Sequence, residues 1–436
     1  MAKLVRRRWQ SQFAGIDIPK RDRNSCWYEA YVPDPLSGRT FSFEDVVTAD
    51  VSEAERAIQR LNAEAVALVD TEALARILLR AESVASSRIE GLVIAPRRLL
   101  RADAARYFDE AKPDAAAAEV LANIDAMAFA ADAVRHGGEI SLDILLEVHR
   151  RLLAPSRLAE HGGRIRTQQN WIGGSDYNPC SAAFVPPPPE DVKPLLEDLS
   201  RFCNGDSLPA VIQAALAHAQ FETIHPFVDG NGRVGRTLIH MVLRRRGIAA
   251  HVLPPVSLVL ATWSKEYIAG LVATRYSGNP TSPAAHDGVN RWVALFATAC
   301  QRAVDDAETF ERRVSQVQRE WRARLGRVRA KSATALLLDK LPGAPVVTVQ
   351  SAARMIARTV QAVNEAIPPL VDAGILVQSN AGRRNRAFEA REVIDAFADL
   401  ERRLASPGGD TRTSLPSARF RAAENESARR RVRNMR

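Results

Sequence analysis

Apolar residues recur at helical spacing through most of the chain. From about Ser52 to Ala81 they fall at Ala57, Leu61, Ala65, Leu68, Ala75, Leu78 and Leu79, mostly three or four apart, which predicts helix. A second helical signal runs up to Glu90-Gly91, where Gly91 suits the left-handed position just past a helix end. Residues 114–136 are alanine-rich and helical and stop at Gly137-Gly138, after which Ser141 caps a helix carrying Leu145, Leu146 and Val148. Helices resume at Asp191, over 210–222 and over about 233–246. No glycine lies between Gly288 and Gly326, so residues 288–330 read as one or two long helices. Two stretches break the pattern. The first 50 or so residues read as irregular, with turn signals at Pro33-Asp34-Pro35 and Ser37-Gly38. In 162–188, Gly162-Gly163, Gly173-Gly174 and Pro186–Pro189 punctuate short apolar runs, which predicts a loop or a small hairpin.

Past Lys331 the pattern changes to a helix over 333–341, a Pro/Gly turn and two short helical segments. Val377-Gln378 and Ala387-Phe388-Glu389 then resemble hairpin arms on either side of Gly382. Residues 405–436 carry eight arginines against three acids and few apolar residues, the composition of a disordered tail.

Length and composition narrow the class. At roughly 150 residues per domain, 436 residues imply two to four domains, and 46% hydrophobic residues are ordinary for a soluble globular protein. No apolar run reaches the ~18 residues of a membrane helix, and MAKLVRRRWQ has no apolar stretch behind its charges, so neither a membrane span nor a signal peptide is expected. The four cysteines, Cys26, Cys180, Cys203 and Cys300, form no CxxC pair. That suits a reducing compartment, the cytoplasm, and argues against a disulfide scaffold. The net charge of +9 raises nucleic acid as a partner. Only seven of the 60 basic residues are lysine, however, and that skew towards arginine looks like the mark of a GC-rich genome.

Chemistry concentrates in His225-Pro226-Phe227-Val228-Asp229-Gly230-Asn231-Gly232-Arg233-Val234-Gly235-Arg236. Gly230 and Gly232 flank Asn231 just before a helix, so backbone N–H groups and the helix's positive end form an anion nest. Arg233 and Arg236, three apart on the first turn, can reach two different anionic groups of a polyphosphate. Asp229 offers a hard oxygen for Mg²⁺, and His225 is the nearby group suited to general base work near neutral pH. Together these describe phosphoryl or nucleotidyl transfer.

The segment resembles the Fic family signature HPFx(D/E)GNGRxxR at every specified position. The likeness extends to Gly163-Arg164-Ile165-Arg166 and Trp171-Ile172-Gly173-Gly174, similar to the flap before the motif, and to Phe184-Val185-Pro186-Pro187-Pro188. It covers about residues 25–280, with a weaker likeness over 330–400. The resemblance implies transfer of AMP from ATP onto a Ser, Thr or Tyr hydroxyl of a target protein. His225 would take the hydroxyl proton, and Asp229 would hold Mg²⁺ between the α- and β-phosphates. Asn231 and the backbone over Gly230–Arg233 would stabilise charge on the α-phosphate. Arg233 would engage the β-phosphate and Arg236 the γ-phosphate, while the flap would pair with an extended target segment. Relatives of the Doc toxin type, which phosphorylate, place a lysine where this chain has Gly232, so AMP transfer is favoured over phosphotransfer.

Ser86-Ser87-Arg88-Ile89-Glu90-Gly91 resembles the family's inhibitory pattern (S/T)xxxE(G/N). Glu90 would pair with Arg236 and deny that arginine to the γ-phosphate. Residues 331–404 resemble a winged helix-turn-helix, with the recognition helix over 360–370 and Arg383, Arg384 and Arg386 at the wing. Pro368-Pro369 falls inside that helix, where each proline costs ~3 kcal/mol, so a shortened or kinked helix is expected and DNA reading is disfavoured.

The expected fold is mostly α: a Fic helical core with a small β-hairpin flap, plus a C-terminal winged helix-turn-helix. The expected division is an N-terminal helical region with the inhibitory helix over 1–135, the catalytic core over 136–285, linker helices over 286–330, the winged domain over 331–404 and a basic tail over 405–436. The leading expectation is an adenylyltransferase using ATP and Mg²⁺ and restrained by Glu90. Its partner is a protein hydroxyl, with self-modification and a homodimer open to it and no membrane involved. The alternatives are a DNA-binding regulator with a nucleotide-sensing core and a Doc-type phosphotransferase.

Overall fold

The structure, a computed structural model, describes residues 1–10, 19, 22–66, 71–106, 114–379 and 386–404. The order begins β1 (Lys3–Trp9), β2 (Cys26–Val32), α1 (Asp45–Val66), α2 (Thr71–Ile89), α3 (Pro96–Ala105), α4 (Ala115–Ala133), α5 (Leu142–Leu153), α6 (Pro189–Cys203), α7 (Ala210–Ile224) and α8 (Asn231–Arg245). It continues with α9 (Val256–Thr262), α10 (Ser264–Ala273), α11 (Pro283–Leu325), α12 (Ala333–Lys340), β3 (Val346–Thr348), α13 (Val349–Met355), α14 (Val360–Asp372), β4 (Val377–Gln378), β5 (Ala387–Glu389) and α15 (Arg391–Leu404). The fold is mostly helical with small antiparallel sheets. Among the described residues no single helix is long and apolar enough to cross a membrane.

Two compact units divide the chain. The first takes Met1–Glu55, Phe129–Ile248 and Lys265–Thr298; the second takes Arg56–Ala128, Ala249–Ser264 and Ala299–Arg436. The first unit is built around α7. Its sequence, AVIQAALAHAQFETI, is apolar on nearly every face, which suits a helix surrounded by protein, and every residue from Ala210 to Ile224 is buried. Its polar side chains are bonded inside: Gln213 donates to the carbonyls of Phe202 at 2.8 Å and Gly205 at 2.7 Å, and His218 Nε2 meets the Tyr267 hydroxyl at 2.8 Å. Helix α8 packs against α7 and is buried along almost its whole length.

The first 50 residues are not irregular throughout. Strands β1 and β2 pair antiparallel from Lys3 opposite Val32 to Trp9 opposite Cys26. The sequence KLVRRRW hides a strand because four of its seven positions are basic and most are exposed, leaving no alternation to read. Tyr31 N–H donates to the Val185 carbonyl at 2.9 Å, tying β2 to the segment that follows the flap.

A disulfide joins β2 to the flap itself, linking Cys26 and Cys180 with their Cα atoms 5.8 Å apart. The cysteine spacing argues against a disulfide scaffold, and this one bond departs from that reading. A separation of 154 residues gave no local signal, and the fold brings the two together. Cys203 remains a buried thiol, and burial pushes its pKa up to about 12. Closing so long a loop is worth ~2–5 kcal/mol. Reduction, or Cys26→Ser, is therefore expected to lower the thermal midpoint and to speed amide exchange over 172–184. Unchanged exchange on reduction would show that the bond does not form in solution.

In the second unit a three-stranded sheet has the order β3-β5-β4. Thr348 and Ser351 form a reciprocal capping box at the start of α13, and Thr359 caps α14. Helix α14 runs through Pro368 and Pro369 as far as Asp372, contrary to the expected shortening. Both prolines lie on the exposed face, so the carbonyls they leave without a donor are open to water. Val363, Ala366, Ile367 and Leu370 anchor the opposite face. Of the expected wing arginines, Arg386 bonds Asn364 at 2.9 Å, while Arg383, Arg384 and the tail over 405–436 lie outside the described residues.

Candidate active site

Helix α7 ends because His225 leaves the helical region: its φ of 49° and ψ of 61° are left-handed. That conformation costs a non-glycine residue on the order of 1 kcal/mol, and the surroundings hold it in place. Its N–H caps Phe221 at 2.9 Å. Its carbonyl accepts from Arg166 Nε at 2.9 Å and from the Asn170 amide at 3.1 Å. Arg166 is buried and also donates to the carbonyls of Pro187 at 2.5 Å and Gln168 at 3.1 Å, so one guanidinium joins the motif to the segments on either side of the flap. Burial pushes its pKa down to about 10, which still leaves it charged at neutral pH.

The loop closes on itself through Asn231. Its side-chain oxygen accepts from Phe227 N–H at 2.8 Å, and its amide donates to the Phe227 carbonyl at 2.9 Å. The Asn231 amide thus holds the loop's register, while the first N–H groups of α8 have no intrahelical partner by helix geometry. Gly230 has φ 78°, and a Cβ there would come within 2.9 Å of Leu152, so glycine is required on both counts. Gly232 is buried in the first turn of α8. Asp229 is half-exposed; one of its oxygens accepts from Gly230 N–H at 2.6 Å and the other lies 3.5 Å from Arg233.

Arg233 and Arg236 do not form a solvated surface: they are 3% and 1% exposed. Arg233 Nε and Nη1 are buried and have no hydrogen-bond partner among the described residues. A buried guanidinium with unmet donors at a helix N-terminus offers hydrogen bonds and charge that an anion can take up. The half-exposed Asp229 carboxylate beside it is a hard donor suited to a Mg²⁺ that a bound polyphosphate shares.

Sequence reasoning missed His149, because in LDILLEVHRRLL it sits within an apolar stripe and reads as core. Its ring stacks on Phe227 at 3.7 Å. Gly163 N–H donates to Nδ1 at 3.1 Å, so Nε2 carries the proton and donates to the Asp229 carbonyl at 3.1 Å. Burial, with Arg233 adding to it, pushes the His149 pKa down to about 4 and keeps it neutral. One buried imidazole therefore braces the motif loop against the start of the flap. The flap itself is closed by a single antiparallel bridge between Ile172 and Phe184. Gly174, at φ 78°, passes so close to Ser181 that a Cβ would lie 2.3 Å from its carbonyl oxygen.

Ser86 and Glu90 belong to the second unit, on α2 and at its end. Gly91, at φ 81°, ends the helix as predicted: Gly91 N–H reaches the Arg88 carbonyl at 2.9 Å and Leu92 N–H the Ser87 carbonyl at 3.0 Å. Ser86 is buried. Beside it Asn123 donates to Ser87 Oγ at 3.0 Å and to the Ser83 carbonyl at 2.8 Å.

Comparison with known proteins agrees with this geometry. Residues 139–243 match the Fic/DOC family, and residues 48–132 match the Fic/DOC family N-terminal region. The chain is 38% identical over 178 residues to protein adenylyltransferase fic-1 of Caenorhabditis elegans, covering 39% of this chain and 32% of that protein. It is 40% identical over 119 residues to protein adenylyltransferase Fic of Drosophila virilis, covering 27% and 22%. A Fic family protein from Desulfovibrio desulfuricans G20 shares the fold with a TM-score of 0.50 at 18% identity, over 80% of this chain and 97% of that one. Over residues 48–132 and 139–243 the chain is therefore similar to the Fic/DOC family. It spans about a third or less of the length of these two curated relatives.

Proposed function

We propose that the protein transfers AMP from ATP to a hydroxyl of a target protein, or of itself. The observation that carries this reading is Arg233, buried on the first turn of α8 with two unmet donors next to a half-exposed carboxylate. The relatives fic-1 and Fic are protein adenylyltransferases by name. Arg233 and Arg236 hold the β- and γ-phosphates, and the N–H groups at the start of α8 face the charge that develops on the α-phosphate. Asn231 keeps those N–H groups in register. Asp229 would hold Mg²⁺, which when bound neutralises phosphate charge. His225 takes the proton of the target hydroxyl; the hydroxyl oxygen bonds to the α-phosphorus as the bond to the bridging oxygen breaks, and pyrophosphate leaves. Because the flap has one closed bridge, an extended target segment could pair beside it.

Glu90 is the brake in this reading, competing with the γ-phosphate for Arg236, and buried Ser86 belongs to the same helical turn. Residues 331–404 are a winged helix-turn-helix in this reading, supported by the sheet order β3-β5-β4 and the two capped helices. The outer face of α14 carries Glu365 and two prolines, which suits packing against protein better than phosphate contact.

Incubation with ATP labelled at either the α- or the γ-phosphate tests the reaction. Label from the α-position alone, several-fold stronger in Glu90→Gly, is the expected result. Label from the γ-position alone would mean phosphotransfer and would overturn the reading.

A further inference from the structure

A buried carboxylate lies behind the base, within the same unit. Glu222 sits one turn before His225 on α7 and is 8% exposed; its Oε2 is 3.9 Å from His225 Nδ1. His225 itself sits in the left-handed region just past the helix end. The opposite wall is Gly235 of α8, where a Cβ would come within 2.7 Å of Glu222 Oε1. Helix α8 is therefore bare of side chain at the one place where the carboxylate needs room.

The buried guanidinium of Arg275 senses the same carboxylate. Burial pushes the Arg275 pKa down to about 10, and the Glu222 charge works against that fall. Arg275 also lies over the Phe184 ring, 3.5 Å from its centroid, and Phe184 pairs with Ile172 across the flap. The polar and aromatic groups thus run in sequence from the base, through Glu222 and Arg275, to the flap.

We propose that Glu222 is a positioning residue for His225: its carboxylate accepts from Nδ1–H, fixes the tautomer that leaves the Nε2 lone pair for the target hydroxyl, and stabilises the imidazolium formed when the proton is taken. The catalytic part of this inference rests on the transferase reading above; the tautomer and its cause do not. The other charged and titratable groups around the pair are mostly cations or neutral. Arg166 and the Asn170 amide address the His225 carbonyl, not its ring. Arg236 of α8 lies towards His218 of α7, whose pKa burial and that arginine push down to about 3, so it stays neutral. Arg275 feels the charges of both Glu222 and Tyr31. An imidazolium among three arginines needs an anion, and the neighbouring carboxylate supplies one.

The test is nitrogen-detected NMR of histidine-labelled full-length protein, wild type and Glu222→Gln, titrated through the histidine range, with transfer rates measured beside it. Wild-type His225 is expected as the Nδ1–H tautomer. In Glu222→Gln its titration midpoint should fall by about 1 pH unit or more, and the acid limb of the rate profile should move with it while KM for ATP stays put. A wild-type ring protonated on Nε2, or a midpoint that Glu222→Gln leaves in place, would overturn the inference. Should Glu222→Gln fail to fold, the wild-type tautomer decides alone. A chain with the predicted tautomer and midpoint shift that incorporates no AMP would retain this inference and lose the transferase reading. AMP transfer with an unmoved profile would do the reverse.

Discussion

Arg233→Met is expected to remove nucleotide binding while raising the stability of the nucleotide-free chain. The side chain is 4% exposed, the half-exposed Asp229 lies 3.5 Å away, and two of its nitrogens find no partner among the described residues. Keeping such a cation inside costs free energy that a methionine of similar length would not. Asp229 can turn to water when the arginine is lost. The free chain should gain about 1–2 kcal/mol. Each charge-assisted bond to a phosphate is worth ~1.5–3 kcal/mol, so affinity for Mg²⁺-ATP should fall on the order of 100-fold. Thermal unfolding with and without Mg²⁺-ATP measures both. The wild type should shift upward with nucleotide, and the variant should start higher and not move. A variant less stable than wild type without nucleotide would mean that the guanidinium serves the fold.

The second large effect lies in the other unit. Glu389 on β5 is fully buried, and Arg97 and Arg101 of α3 grip its two oxygens at 2.5 and 2.6 Å. Removing both arginines leaves a buried carboxylate alone, at a cost of ~3–5 kcal/mol. Urea denaturation of Arg97→Ala/Arg101→Ala should show that loss at neutral pH. Burial pushes the Glu389 carboxyl up, but the two guanidiniums outweigh it and hold its pKa below the ordinary glutamate range. The wild-type contribution is therefore complete above that range and fades as the pH falls through it and below. In acid the deficit of the double variant should shrink as Glu389 takes a proton. A deficit that is the same at every pH would point to lost packing of α3 instead.

Much of the candidate site was legible as a cluster because its residues are close in sequence. His225, Asp229, Gly230, Asn231, Arg233 and Arg236 fall within twelve residues, and the glycines mark the turn that the backbone makes. The end of α2 at Gly91 was legible for the same reason: a left-handed cap is a one-residue signal. What escaped depends on distant residues. His149 looks like core until Phe227, Gly163 and Asp229 converge on it. The pairing of Cys26 with Cys180 spans 154 residues. Strand β1 is masked by its own charge, since an exposed strand need not alternate. In α14 the usual cost of proline is a poor guide, because Pro368 and Pro369 face water and four buried residues hold the helix from behind.

The account depends most on AMP becoming covalently attached to a protein hydroxyl with His225 as the base. Intact-mass analysis of purified Glu90→Gly protein after incubation with ATP and Mg²⁺, beside Glu90→Gly/His225→Ala, tests this directly. The predicted result is a mass gain of one AMP in the first protein and none in the second. An equal gain in both would remove His225 from the chemistry, and a gain of one phosphate in place of AMP would contradict nucleotidyl transfer itself.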